Sequence, residues 1–329
     1  MNHPTEAERI DAIDTAARLL DAMQGQIEHA IVGQDRLVRE VLLTVAAGGH
    51  ALLEGVPGTG KTLLARALAR TFQGEASRVQ FTPDLMPADV LGHMLFDART
   101  SEMRLRRGPV FAHLLLADEI NRAPAKTQAA LLEVMQERQV TIEGESLPIP
   151  APFVVLATQN PIEMEGTYAL PEAQLDRFLL KIRVDYPSAE QEVALTRSVT
   201  EGRIGDLLFL DDVAPVATPE AVLALQAATA AIFVDDRVLD YAVRLARATR
   251  EQPRLAVGAG PRGPIALVRA ARANALLAGR HFATPDDVKD VALPALRHRI
   301  ELSAVADLEG HTADDVVADV MADVEAPRT

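Results

Sequence analysis

Gly55-Val56-Pro57-Gly58-Thr59-Gly60-Lys61-Thr62 is a G-x-x-x-x-G-K-T phosphate-binding loop, and its reading decides the fold. Its glycines let the backbone curl so that several N–H groups face one anion. A helix starting there adds its positive N-terminal end. Lys61 reaches the β- and γ-phosphates, and the Thr62 hydroxyl ligates Mg²⁺. The flanks agree with this reading. His50–Glu54 is a short apolar strand candidate, and Leu64, Leu68 and Phe72 come after the loop at helical spacing. The expected ligand is a nucleotide, held by Val56, Pro57, Gly58, Thr59, Gly60, Lys61 and Thr62.

The 329 residues are 48% hydrophobic, enough for a large core and two domains. The 47 acids outnumber the 33 bases, giving a formal charge of −14. A dedicated nucleic-acid binder needs a basic face to neutralise phosphates, and no Lys/Arg run supplies one. Without cysteine there is no disulfide, thiolate catalysis or Cys-based zinc site. The acidic N-terminus, Met1–Glu8, lacks the basic and apolar regions of a signal peptide. No apolar stretch is long enough to span a membrane. The expectation is a soluble cytoplasmic protein.

Ile10, Ile13, Ala17, Leu20, Met23 and Ile27 recur at helical spacing, so residues 1–30 form a helical segment packing on the core domain. Over 31–187, strand and helix patterns alternate. Strands are expected at 50–54, 78–81, 113–117, 153–158 and 178–184. The near-continuous apolar runs at 114–117 and 153–157 suit parallel strands covered on both faces. The fold class is therefore α/β, a βαβ core with a parallel sheet. Residues 93–107 and 138–149 alternate about polar centres and read as two inserted hairpins. After Tyr186-Pro187 only helices are expected, at 188–200, 219–231, 236–250, 262–278, 285–299 and 312–324. Thr218, Thr284 and Thr312 are their N-caps, with an acid three residues after the last two, and Gly279 is a helix stop. Residues 188–329 thus form an all-α second domain.

Leu114–Ala117 runs into Asp118-Glu119. Ligands of open α/β sheets bind beyond the carboxyl ends of the strands. There Asp118 would hold Mg²⁺ and Glu119 would polarise the attacking water, completing an ATP site.

The run Asp118-Glu119-Ile120-Asn121-Arg122-Ala123-Pro124 resembles the MoxR branch of the AAA+ ATPases. So do Ala157-Thr158-Gln159-Asn160-Pro161 and the stretch from Glu165 to Phe178 that ends Gln174-Leu175-Asp176-Arg177-Phe178. The resemblance extends from about Ile31 to the end of the chain. It implies an AAA+ phosphate-loop core with hairpin inserts, an all-α lid, and a ring, usually a hexamer, with ATP between neighbouring subunits. It makes Asn160 the sensor-1 residue and Arg177 the arginine finger for a neighbour's γ-phosphate. It makes Arg262 the sensor-2 residue, acting in its own subunit or on a neighbour. Ile31-Val32-Gly33-Gln34 resembles the adenine-pocket segment. Taken without the resemblance, Asn160 before Pro161 is a turn former, Arg177 a surface ion pair with Asp176 or Glu172, and Arg262 a helix-start residue. Gly260 departs from the family's small polar residue.

The hairpins resemble the helix-2 insert and the pre-sensor-1 hairpin, which face the channel or one face of the ring. Arg104, Arg106 and Arg107 could meet acidic groups there, or form a solvated basic face. The implied function is ATP hydrolysis coupled to remodelling, maturation or metal loading of a protein client carrying a von Willebrand factor A domain. Two rivals remain open: a nucleic-acid motor on the same core, and a nucleotide-dependent scaffold with little turnover. The net charge opposes the first, and the Asp118-Glu119 pair with Arg177 opposes the second.

Overall fold

The computed structural model describes residues 5–31, 33–56, 58–160, 167–200, 210 and 212–327. Val32, Pro57, Pro161, Glu165 and Gly166, which belong to the sequence motifs, lie outside these, as do residues 1–4 and 328–329.

The first helix, α1 (Glu6–Glu28), starts where Thr5 and Glu8 form a capping box. Ile13, Ala16, Leu20, Met23 and Ile27 form its buried stripe, while Ile10, on the same spacing, stays exposed. α2 (Asp35–Ala46) comes next, then strand β1 (Ala51–Gly55) and helix α3 (Lys61–Thr71).

β1 sits inside a five-stranded sheet with β2 (Ala76–Gln80), β5 (Leu114–Asp118), β8 (Val154–Gln159) and β9 (Leu180–Val184), in the order β2-β5-β8-β1-β9. Every pairing is parallel. Alternate residues feed opposite faces. Leu53, Leu114, Leu116, Val154 and Leu156 join the core shared with α1, α2 and α3. Leu52, Leu115, Ala117, Val155 and Ala157 join the core on the other face. Burial on both faces explains why these strands read as continuous apolar runs. β2 begins earlier than its apolar residues suggest, because Ala76 and Ser77 pair through their backbone with Leu114 and Leu115.

Both expected hairpins form. β3 (Gly92–Asp97) pairs with β4 (Glu102–Arg107), after the short helix α4 (Pro87–Leu91). β6 (Gln139–Ile142) pairs with β7 (Glu145–Pro148), after α5 (Ala125–Glu137). On the first hairpin Leu95, Phe96 and Met103 are exposed. The short α6 (Glu172–Leu175) precedes β9.

Beyond β9 come α7 (Ala189–Thr200), α8 (Pro219–Ala230), α9 (Asp236–Thr249), α10 (Arg262–Leu277), α11 (Pro285–Leu296), α12 (Ala304–Leu308) and α13 (Ala313–Asp323). Thr218, Thr284 and Thr312 cap as expected, the last two in capping boxes. Gly279, at φ +65°, ends α10 with Arg280 N–H returning to the Ala275 carbonyl. α1 packs on α8 and α10 as well as on α2 and α3.

The helices-only expectation is corrected in two places. β10 (Phe233–Val234) pairs with β12 (Phe282–Ala283), and β11 (Leu255–Val257) with β13 (Glu301–Leu302). β10 and β12 are the extended residues just before the N-caps Asp235 and Thr284, so their pairing sets two helix starts side by side. Runs of two or three residues are too short to show alternation. α12, at five residues, is too short to show a helical period.

Candidate nucleotide site

β1 delivers the chain to the phosphate loop, and α3 carries it away. Gly58 and Gly60 adopt φ +82° and +80°, while a Cβ on either would meet nothing within 4 Å. Glycine is therefore required there for its backbone freedom, not for space. Gly55 differs: its Cβ would fall 2.3 Å from the Val184 carbonyl oxygen of β9. Lys61 Nζ folds back onto the loop, donating to the carbonyls of Gly55 and Val56. Burial lowers the Lys61 pKa, against the pull of Asp118 and Glu119. Gln34 Nε2 donates to the Thr59 carbonyl at 3.2 Å, tying the 31–34 segment to the loop. Gln34 Oε1 is buried without a partner among the described residues.

β5 ends at Asp118, and Glu119 turns with φ +55°. Thr158, near the end of β8, joins the two acids. Its hydroxyl donates to Asp118 Oδ1 at 2.6 Å and accepts from the Glu119 N–H at 2.8 Å. Asp118 Oδ2 accepts from Arg78 on β2 at 2.7 Å. Glu119 Oε2 accepts from Gln80 at 2.7 Å and pairs with Arg122 at 3.0 Å. Asn160, just past β8, is buried in the same site.

These elements enclose a cleft of about 640 Å³, within the usual range for small-molecule sites. One end carries Lys61, Thr62, Asp118, Glu119 and Asn160; Ala30, Ile31, Tyr186 and Leu195 supply apolar lining. The phosphate cradle, the ammonium and a hydroxyl beside a carboxylate fit a nucleotide polyphosphate and its cation. Mg²⁺ needs few protein ligands when phosphates and waters complete its shell.

Of the residues expected from sequence, Gln34, Gly58, Thr59, Gly60, Lys61, Thr62, Asp118, Glu119 and Asn160 line this one cleft. Val56 contributes its carbonyl to Lys61, and Gly33 turns at φ +72° with Gln191 against it. Arg177 and Arg262 are elsewhere, in a second cavity of about 370 Å³ with Asp176, Arg138, Arg269 and Arg299. The ion-pair alternative for Arg177 fails: Arg177 Nη1 donates to the Leu132 carbonyl at 2.8 Å, and Asp176 pairs with Arg299 at 2.9 Å and Arg262 at 3.7 Å. Glu172 faces Glu301, whose proximity raises its pKa.

Sequence reasoning missed Thr158, Arg78, Gln80 and Arg122 as partners of the acids. Arg78 and Gln80 alternate on a strand beside β5, which was the available signal. Tyr186 and Pro187 were read as a boundary and prove to line the cleft.

A phosphate loop inside a parallel sheet, acids on a nearby strand, a polar residue after the strand between them and a helical lid together define an AAA+ ATPase. The ATPase family associated with various cellular activities (AAA) matches residues 50–180, and the AAA lid domain matches residues 247–320. The chain is 45% identical to Chaperone MoxR1 of Mycobacterium tuberculosis, over 92% of this chain and 81% of that protein. It is 42% identical to protein YeaC of Bacillus subtilis, over 94% of this chain and 95% of that one. A crystal structure of a Cytophaga hutchinsonii protein superposes with a TM-score of 0.89 at 36% identity, covering 97% and 98% of the two chains. The chain belongs to the MoxR family of AAA+ ATPases: it binds nucleotide and hydrolyses ATP. Among the described residues, no helix is long and apolar enough to cross a membrane.

Proposed function

We propose that the catalytic site is composite, completed by the arginines of a second copy of the chain in a hexameric ring. One observation carries this reading. Lys61, Asp118 and Glu119 share a cleft that neither Arg177 nor Arg262 lines. The arginines within the cleft's own surroundings, Arg78 and Arg122, are engaged by Asp118 and Glu119, so the finger is assigned to Arg177 of a neighbour.

In this reading Lys61 and the N–H groups of Val56, Gly58, Thr59 and Gly60 hold the β- and γ-phosphates. Gln34, with the Val32-Gly33 segment, borders the base. Thr62 and Asp118 would hold Mg²⁺, which when bound neutralises phosphate charge. Glu119 polarises the attacking water and Asn160 orients it. Arg177, with Arg262, offers positive charge to the neighbour's γ-phosphate. Residues 1–30 act as a helical brace, 31–187 as the ATPase core and 188–329 as the lid.

The work done with ATP is remodelling of a protein client in the cytoplasm, in keeping with the chaperone name of the mycobacterial relative. A client bearing a von Willebrand factor A domain, matured or loaded with metal, is the specific form of this proposal. The exposed Phe96 and Met103, paired across the first hairpin, are an apolar surface suited to it. No nucleic-acid substrate is expected, because the net charge of −14 works against binding a polyphosphate chain; salt-sensitive stimulation of the ATPase by DNA would reverse this.

The test is a pair of inactive variants. Arg177→Ala keeps a sound phosphate loop but offers no finger, and should lose on the order of 10³–10⁵ in turnover. Lys61→Ala has a dead loop but still offers Arg177. Mixed, the two should regain ATPase activity. Mixed rings, shown by sedimentation, without recovery would refute the composite site.

A further inference from the structure

Three consecutive buried residues, Arg297, His298 and Arg299, come after α11 and dock onto the backbone that leads into β9. Arg299 Nη2 donates to the Phe178 carbonyl at 2.6 Å and Nη1 to the Leu179 carbonyl at 3.2 Å. Arg297 Nη1 donates to the Lys181 carbonyl at 3.1 Å, and His298 Nε2 lies 3.0 Å from the Phe178 carbonyl oxygen. Arg299 Nε donates to Asp176 Oδ1 at 2.9 Å, while Arg262 Nε, at the start of α10, lies 3.7 Å from Oδ2. Asp176 is thus held from the lid by two arginines, and it immediately precedes Arg177. The three side chains meet in the cavity that Arg177 also lines. Arg299 is 4% exposed along its side chain, so its guanidinium is a fixed point and not a solvated partner. Arg177 itself is anchored at Nη1 alone, and its Nε is buried without a partner among the described residues.

On the composite-site reading, we infer that Asp176 is a positioning residue for the arginines given to the neighbouring subunit. Its carboxylate takes Arg299 on one oxygen and orients Arg262 on the other. Through the adjoining peptide it fixes where Arg177 leaves the backbone. A rotation of the lid therefore reaches the finger through Asp176, while the subunit's own nucleotide cleft contains neither residue. Asp176 touches no reacting atom in this account.

The test is Asp176→Asn, which keeps the shape and one acceptor oxygen but removes the charge and the second acceptor. Arg299 retains its carbonyl acceptors, Ala295 among them. Turnover should fall on the order of 10²-fold, the cost of a displaced catalytic group. Affinity for a non-hydrolysable ATP analogue should match the parent. Mixing then separates positioning from general damage. D176N with Lys61→Ala should recover activity, because the D176N cleft receives a well-placed finger. D176N with Arg177→Ala should not recover, because neither supplies one. Parental turnover, lost analogue binding, no recovery with Lys61→Ala, or recovery with Arg177→Ala each overturns the inference. The Lys61→Ala and Arg177→Ala pair is the control: if that pair also fails to recover, the composite site is refuted and the inference falls with it; if it recovers, only the role of Asp176 is at stake.

Discussion

Glu119→Gln sets two effects of different size against each other. Glu119 Oε2 accepts from Gln80 Nε2 at 2.7 Å and pairs with Arg122 Nε at 3.0 Å, with side-chain exposures of 27% for Glu119 and 38% for Arg122. Solvent screens a pair this exposed, so losing its charge costs at most about 1 kcal/mol of stability. That moves the unfolding midpoint by only about 2–4 °C in a domain of comparable size. The chemical effect is larger. A carboxylate acting on the attacking water contributes about 10²–10⁴-fold, or about 3–5 kcal/mol of barrier. The variant should therefore melt near the parent, bind a non-hydrolysable analogue with parental affinity and release phosphate at least about 10² times more slowly. Phosphate release at saturating ATP, analogue titration and thermal unfolding on one preparation give all three quantities. Turnover within a few-fold of the parent would remove Glu119 from the mechanism. Lost analogue binding would mean that the carboxylate belongs to the phosphate cradle instead.

Lys61→Ala removes the only ammonium lining the cleft among the described residues and should abolish tight ATP binding; parental affinity in an analogue titration would sink the phosphate-loop assignment. Acidification should destabilise the fold through two buried histidines. Burial pushes His50 down to about 3, and burial with the adjacent Arg299 holds His298 well below its ordinary value. Between about pH 7 and pH 5 their unfolded forms take up protons that the native forms resist, so both withdraw stability as pH falls, His50 about 2 kcal/mol of it. Urea unfolding at both pH values checks this, and His50→Asn should show the smaller slope; equal slopes would refute the account of His50. Asp287→Ala should cost about 1–3 kcal/mol in chemical denaturation, because it takes away the buried carboxylate that accepts from Asn274, Thr284 and the partly exposed Arg280. In the parent, burial raises the Asp287 pKa, but bonds from Arg280, Thr284 and Asn274 outweigh it and leave the net value low. That contribution holds above the ordinary carboxylate range and disappears only as pH falls below it.

The sheet was legible because both faces of β5 and β8 are buried, which writes strands as continuous apolar runs. The second hairpin was legible for the opposite reason: Val140, Ile142 and Leu147 turn inward while Gln139, Thr141, Glu145 and Ser146 face solvent, whereas the first alternates although Phe96 and Met103 are exposed. The phosphate loop and Asp118-Glu119 were legible because backbone freedom and strand ends leave local marks. Arg78, Gln80 and Thr158 were not, because each owes its role to a neighbouring strand and not to neighbours in sequence. The grip of Arg299 on Asp176 joins residues 123 apart, and no local pattern encodes it. The two-residue strands were hidden because helix caps, not side-chain alternation, bring them together.

The division of charge between the two cavities bears on how copies of this chain can meet. One cleft presents Asp118 and Glu119 and, on the proposed reading, receives a polyphosphate. The other is lined by Arg138, Arg177, Arg262, Arg269 and Arg299, against the single carboxylate of Asp176. These are different patches on one molecule. A two-fold dimer can join unlike patches only as two equal contacts about one axis, each copy's first patch on the other's second. A contact made once per pair of copies is heterologous, and its repetition closes a ring or runs on as a filament. On the proposed reading, the lid residues that grip Asp176 lie on the arginine-bearing side, so a shift of the lid would be passed through Asp176 to the arginines that finish the neighbour's site. Hydrolysis in one cleft would then be felt first by the adjacent subunit. A single inactive variant cannot separate the subunit that binds ATP from the subunit that completes the site, whereas a mixture of two assigns each residue to its side of the contact.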